Sequence, residues 1–194
     1  LYSVVAQSNN TINNIKEKST SAVSESAKTQ GIAEARFMRG LAYWYLASLW
    51  GNVIIYENTS SMVNNYVVPT NPRADAMEFA IRDMEYAAKY LPSVSSAAGR
   101  VNKYSAYGML SRFYLSMAGI TTDGQYDGKN VATDFNRGTR NPYYLDLARK
   151  AAEKVISASS FKLMDSYGDL FKIANNNCSE DMFQLQWLAG STDA

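Results

Sequence analysis

The sequence predicts a mainly all-α fold, a tetratricopeptide-like helical solenoid with short extended segments, and three features of its 194 residues carry that reading. Apolar residues recur at three- and four-residue intervals through most of the chain, the spacing of a helix face. Asn71-Pro72, Asn102 and Asn141-Pro142 stand where helices would begin: an amide can take up free N–H groups, and a proline is already at a helical φ. The third feature is AEARFMRGLAYWYLASLWG, residues 33–51, which has no polar side from Leu41 to Ala47. Phe37, Leu41, Trp44 and Ser48 form one row along it, Met38, Ala42, Tyr45 and Leu49 a second, and Tyr43, Ala47 and Trp50 a third. A surface helix needs only one apolar stripe. A membrane span needs about 20 apolar residues, and Arg36 and Arg39 cut this run short. The stretch is therefore read as a helix with neighbours on several sides, an interior position in a helical stack. Phe37, Leu41 and Trp44 are expected among the least exposed residues. Arg36 and Arg39 are expected to meet carboxylates or carbonyls, because an unpaired guanidinium is costly to bury.

The elements follow in order. Leu1, Val5, Ile12 and Ile15 keep helical spacing from the first residue, so a helix is expected over Leu1–Ser19, in a pattern that begins upstream. The Ser, Thr and Gly of STSAVSESAKTQG mark a connection. Gly51 suits the left-handed end of the helix at 33–51, NVIIYE reads as a short extended segment, and Asn58–Thr70 as a polar loop. The helix opened by Asn71-Pro72 runs to Tyr90, with Met77, Ile81, Met84 and Leu91 inward and Arg82, Asp83, Glu85 and Lys89 mostly outward, and Pro92 stops it. Asn102 opens a helix that buries Ala106, Leu110, Phe113 and Met117 and closes at Gly119. The stretch Gly119–Pro142 far exceeds the roughly 2 to 8 residues that usually join bundled helices, so it is expected to project as a contact loop. Asn141-Pro142 opens the last long helix, with Tyr144, Leu147, Ala148, Ala151, Ala152 and Val155 inward. A helical turn at Tyr167–Phe171 and a strand at Met182–Trp187 complete the chain. The last two long helices have the small-residue and aromatic content of a tetratricopeptide pair, interrupted by the Gly119–Pro142 insertion.

Composition narrows the functional classes. Nineteen Lys and Arg against 18 Asp and Glu give a formal charge of +1, without the basic surplus that a phosphate backbone demands, so nucleic acid is not an expected partner. The absence of histidine removes the Ser-His-Asp triad, the usual zinc ligand and the commonest general base. Cys178, in the polar stretch NNNCSED, has no disulfide partner and reads as a free surface thiol. With 14 Tyr and 3 Trp there are enough aromatics for stacking surfaces as well as a core.

Several segments together resemble one family. Glu34-Ala35-Arg36-Phe37-x-Arg39, Tyr43-x-Tyr45 and Leu49-Trp50-Gly51-Asn52-Val53 are similar to the helix and G-(D/N)-V-P signature of the SusD/RagB outer-membrane nutrient-binding lipoproteins. The likeness continues through Pro72-Arg73, Asp83-Met84-Glu85-Tyr86-Ala87-Ala88-x-x-Leu91-Pro92 and Gly99-Arg100-Val101-x-Lys103-x-x-Ala106-x-x-x-Leu110-x-Arg112-x-Tyr114-Leu115. It ends with Tyr167-x-x-Leu170-Phe171 and Glu180-x-Met182-Phe183-x-Leu185-Gln186. Ile54 replaces the family's usual proline, and family members are far longer. The resemblance implies a single SusD-like helical domain over 1–194, part of a longer chain that is lipid-anchored on the cell-surface side of the bacterial outer membrane. It also implies a lid on a SusC-like, TonB-dependent transporter, capturing glycans, or peptides in the RagB branch, without a cofactor and without catalysis. A tetratricopeptide adaptor for a protein partner and a helical glycoside hydrolase are the alternative functions.

Candidate ligand residues are Asn64, Asn65 and Tyr66 in the polar loop and Tyr126 in the long insertion, where an aromatic has no core to fill and amides suit sugar hydroxyls. Asp123, Gln125, Asp127, Gly128 and Asp134 occupy positions 1, 3, 5, 6 and 12 of a calcium loop. The match is partial, since position 12 lacks the bidentate glutamate and position 3 is a neutral amide. For a hydrolase, the available carboxylate pairs are Asp165/Asp169 and Glu180/Asp181, in or beside exposed turns where an acid is not readily desolvated.

Overall fold

The computed structural model describes residues 1–58, 67–95, 97–120, 140–158 and 160–185. Five α-helices follow one another among them: α1 Tyr2–Lys18, α2 Glu25–Trp50, α3 Arg73–Tyr90, α4 Lys103–Ile120 and α5 Pro142–Ile156. Single 3-10 turns follow at Tyr167–Phe171 and Ile173–Asn175. Each helix packs on the next, and α2 also touches α4, so helix pairs lie side by side as in a tetratricopeptide stack.

Local chemistry accounts for most boundaries. Ser24 caps α2 by accepting the Ala27 N–H at 3.2 Å, with Glu25 beside it in the first turn. α2 thus starts well before residue 33, and the expected connection shrinks to 19–24. At its other end Gly51 takes φ 74° and returns its N–H to the Ala47 carbonyl, as its position predicts. Asn102 caps α4 through the N–H groups of Tyr104 and Ser105 at 2.8 and 3.0 Å, and Asn141 caps α5 through the Tyr143 N–H at 3.0 Å. The cap of α3 differs from expectation. Asn52, not Asn71, accepts the Arg73 N–H at 3.0 Å, while the Asn71 side chain accepts the Ile55 N–H.

NVIIYE is extended, yet its only ladder contact among the described residues is the antiparallel bridge Val53–Asn71. Two tyrosine hydroxyls supply the remaining pairing. The Ile54 N–H donates to the Tyr2 hydroxyl, which donates back to the Ile54 carbonyl, both at 3.0 Å. Tyr43 brackets Tyr56 in the same way, at 2.7 and 3.3 Å. The strand expected at Met182–Trp187 is not formed over its described part, 182–185. There Phe183 sets its edge against Phe37 at 5.3 Å and the Met182 carbonyl accepts the Ser105 hydroxyl, so side-chain contacts with α2 and α4 take the place of a ladder.

The core is built from Phe37, Tyr43, Met77, Met84, Phe113 and Met117, all fully buried. Gly40 lets α2 and α3 approach closely: a Cβ there would lie 2.9 Å from the Ala80 carbonyl oxygen. Inside this core sits a buried ion pair, and the expectation that Asp83 faces mostly outward is overturned. Asp83 is 2% exposed and takes a bidentate pair from Arg39, at 2.7 and 2.9 Å, while Arg39 donates a third bond to Asn9 on α1. Arg36 lies 3.8 Å from the same carboxylate with its guanidinium 4.2 Å from the centre of the Tyr86 ring. Arg39 is thus paired with a carboxylate as expected, whereas Arg36 has the longer approach and the ring face, its buried Nε making no hydrogen bond among the described residues.

Candidate ligand groove

The helix with no polar side is not covered on every side. Phe37 is sealed and Leu41 is 8% exposed, but Trp44 is only half-buried, stacked on Phe113 and donating its indole N–H to Ser116 at 3.2 Å. Beyond Ala47, the last buried residue of α2, Leu49 and Trp50 are 66% and 63% exposed. The final turn of α2, Ser48 to Trp50, is exposed. Among the described residues nothing buries the Leu49 and Trp50 side chains.

Trp50 stands on the wall of a groove of about 630 Å³ between the start of α1, the end of α2 and the extended segment. Tyr2 and Leu46 contribute apolar surface, and Asn52 and Thr70 contribute polar groups. The Tyr2 hydroxyl is committed to both backbone groups of Ile54, and burial outweighs those bonds to push its pKa above the ordinary phenol value. It acts as a fixed wall. Asn52 is held as well, since its amide oxygen caps α3. An exposed indole face beside a fixed amide and a hydroxyl suits a saccharide, which offers apolar C–H faces to rings and hydroxyls to amides.

A second furrow of about 520 Å³ runs between α1 and α2, past Ser3, Gln7 and Thr11 on one side and Gly31, Glu34 and Met38 on the other. Glu34 is occupied by Gln30 and Arg100. No aromatic ring lines this furrow, so it offers a sugar no stacking face.

Asn64, Asn65, Tyr66 and Tyr126, and the calcium-loop residues Asp123, Gln125, Asp127, Gly128 and Asp134, lie outside the described residues. Among the described residues no three His, Cys, Asp or Glu side chains gather into a metal site. Three of the four carboxylates weighed for hydrolysis brace turns. Asp169 pairs with Lys172 at 2.6 Å, Glu180 accepts the Met164 N–H at 2.8 Å, and Asp181 accepts the Cys178 N–H at 3.1 Å. Cys178 itself is free and half-buried. Trp50 escaped sequence reasoning because its helical register assigned it to the core. Its place in the last turn before Gly51, two residues after Ser48, was the signal that it could face outward.

Residues 1–115 match the family model described as SusD-like, "Starch-binding associating with outer membrane". The chain belongs to the SusD-like family. A SusD-like protein of Bacteroides ovatus is 40% identical over 187 residues, covering 96% of this chain and 32% of that protein. A crystal structure determined with a xylogluco-oligosaccharide is 38% identical with a TM-score of 0.80, over 96% of this chain and 34% of the other. A SusD-like carbohydrate-binding protein of Bacteroides fragilis has a TM-score of 0.72 at 25% identity, over 96% of this chain and 32% of that one. The all-α stack is thus the SusD-like fold. The present chain spans about a third of the length of the relatives it matches.

Proposed function

We propose that this SusD-like chain takes part in capturing glycans at the outer face of the bacterial outer membrane and passing them, chemically unchanged, to a SusC-like TonB-dependent transporter. The supporting observation is the groove beside Trp50, an exposed indole flanked by a fixed amide, in a chain 38% identical to a protein crystallised with a xylogluco-oligosaccharide. The family's description, starch-binding and associated with the outer membrane, supports the same location and ligand class. Among the described residues no helix is long and apolar enough to cross a membrane, so the proposal places the chain at the membrane through an attachment outside these helices.

Affinity electrophoresis of the purified protein through polysaccharide gels, with product analysis of the same incubations, tests the reading. Retardation with no new reducing ends is expected; release of shortened sugars would instead establish a hydrolase. Co-purification of a tagged copy with an outer-membrane transporter is the companion test. Recovery of only soluble protein partners would favour a tetratricopeptide adaptor.

A further inference from the structure

We propose that the far end of the helix stack, the outer side of α5 with residues 163–173, is an internal interface, covered in the complete protein by polypeptide that follows residue 194. It is independent of what the Trp50 groove binds. Ile156, Leu163, Tyr167, Phe171 and Ile173 are each between 72% and 87% exposed. The Tyr167 and Phe171 rings meet edge to face with centroids 5.3 Å apart, and Ile173 stands two residues on in the next turn. Neither 3-10 turn buries a residue of its own. On α5 only Ala148 and Ala151 are buried, whereas Leu145 and Ile156, eleven positions apart and so on one side of the helix, stay exposed. The last repeat of a solenoid needs a polar outer face to stay soluble. This end is apolar instead, as surfaces that meet a partner are.

Charge does not recruit the cover. Lys162, Asp165, Asp169 and Lys172 cancel, and Asp169 already holds Lys172 at 2.6 Å. Nor do the turns offer a ladder to an added strand, because their backbone is spent on itself: the Asp169, Lys172 and Asn175 N–H groups donate to the Ser166, Asp169 and Lys172 carbonyls. What remains is apolar side-chain packing, the chemistry of permanent rather than transient interfaces. Two further observations place its source in the same polypeptide. Each described helix packs on its neighbour in sequence, so the layer that meets the last elements is the one that follows them. The length for such a layer exists in the relatives: 96% of this chain matches 32% of one of them, which leaves about two thirds of that protein to be packed.

A photo-reactive benzophenone amino acid in place of Phe171 reads the contact directly, in the gene product expressed and purified at full length. Irradiation and peptide mass spectrometry are expected to join position 171 to a peptide beyond residue 194, in a band that runs as a single chain. A band of twice the mass would put a second copy on the patch, and a band containing the co-purified transporter would put that partner there. Either result overturns the proposal, as does a cross-link confined to residues 1–194 or none at all. Folding is the second measurement. Phe171→Glu combined with Ile173→Glu is expected to lower the melting temperature of the full-length protein by about 5 °C or more, whereas on an open surface the pair would shift it by about 1 °C at most. An unchanged melting temperature overturns the proposal. If the double variant does not fold, the cross-link alone decides. Every one of these outcomes leaves glycan capture standing.

Discussion

Arg39 and Asp83 form a bidentate ion pair inside the apolar core, with Asn9 accepting from the third guanidinium nitrogen. Burial pushes the Asp83 carboxyl above its usual range, and the Arg39 guanidinium pulls it back. Removing one partner leaves the other charge uncompensated in a poor solvent. Arg39→Met is therefore expected to lower the unfolding free energy by about 3–5 kcal/mol in urea titrations, and adding Asp83→Leu should recover part of that loss. Tyr43 gives a pH signature. Burial, only partly offset by its bond with Tyr56, pushes its hydroxyl from 10.0 up to about 12. Between those values the unfolded tyrosine has lost its proton and the folded one has kept it, so the folded state binds more protons and stability falls as pH rises. One such group contributes a slope of about 1.4 kcal/mol per pH unit at most. Tyr43→Phe should flatten the decline between pH 10 and about 12 in denaturant titrations; an unchanged slope would assign the alkaline loss to other groups such as Tyr114, which is also raised by burial.

The helices show which local rules hold without tertiary help. The caps at Asn102 and Asn141 and the Gly51 terminus follow from residues a few positions apart, and the structure has all three as expected. α3 is the exception, because its capping oxygen arrives from Asn52, 21 residues before Arg73. Local motif reading could not see a cap supplied across a turn, and it chose the adjacent Asn71. Asn52→Ala should cost about 1 kcal/mol in equilibrium unfolding and Asn52→Asp should not, since aspartate caps as well as asparagine. Equal losses in the two variants would show that the amide NH2 also contributes to folding. The strand expected after Met182 failed for a related reason. Alternation of apolar residues signals two different faces, but which partner covers each face depends on Phe37 and Ser105, far away in sequence.

Residues 121–139, expected to project as a contact loop, lie outside the described residues, but the described ends of the stretch are held together. The Asn141 N–H donates to the Ala118 carbonyl at 3.0 Å, so α4 and α5 are already joined at the mouth of the Gly119–Pro142 stretch. Closure entropy grows slowly with loop length, so shortening it gains or costs little. Deletion of residues 122–138 is expected to leave the melting temperature nearly unchanged while weakening transporter association or glycan binding. Unfolding on deletion would make the stretch part of the core, and unaltered binding would make it a passive insertion. Helix positions, most caps, the turn at Tyr167–Phe171 and the stacked-pair architecture were legible from periodicity and punctuation, because these depend on interactions within a turn or two of chain. Coverage was decided by the fold. Asp83 is buried because Arg39, 44 residues away, meets it there, and Trp50 is open because no described element packs over the last turn of α2. A residue's own chemistry sets the cost of burial, whereas only the arrangement of distant helices determines whether that cost is incurred, and this left the ligand groove invisible until the helices were in place.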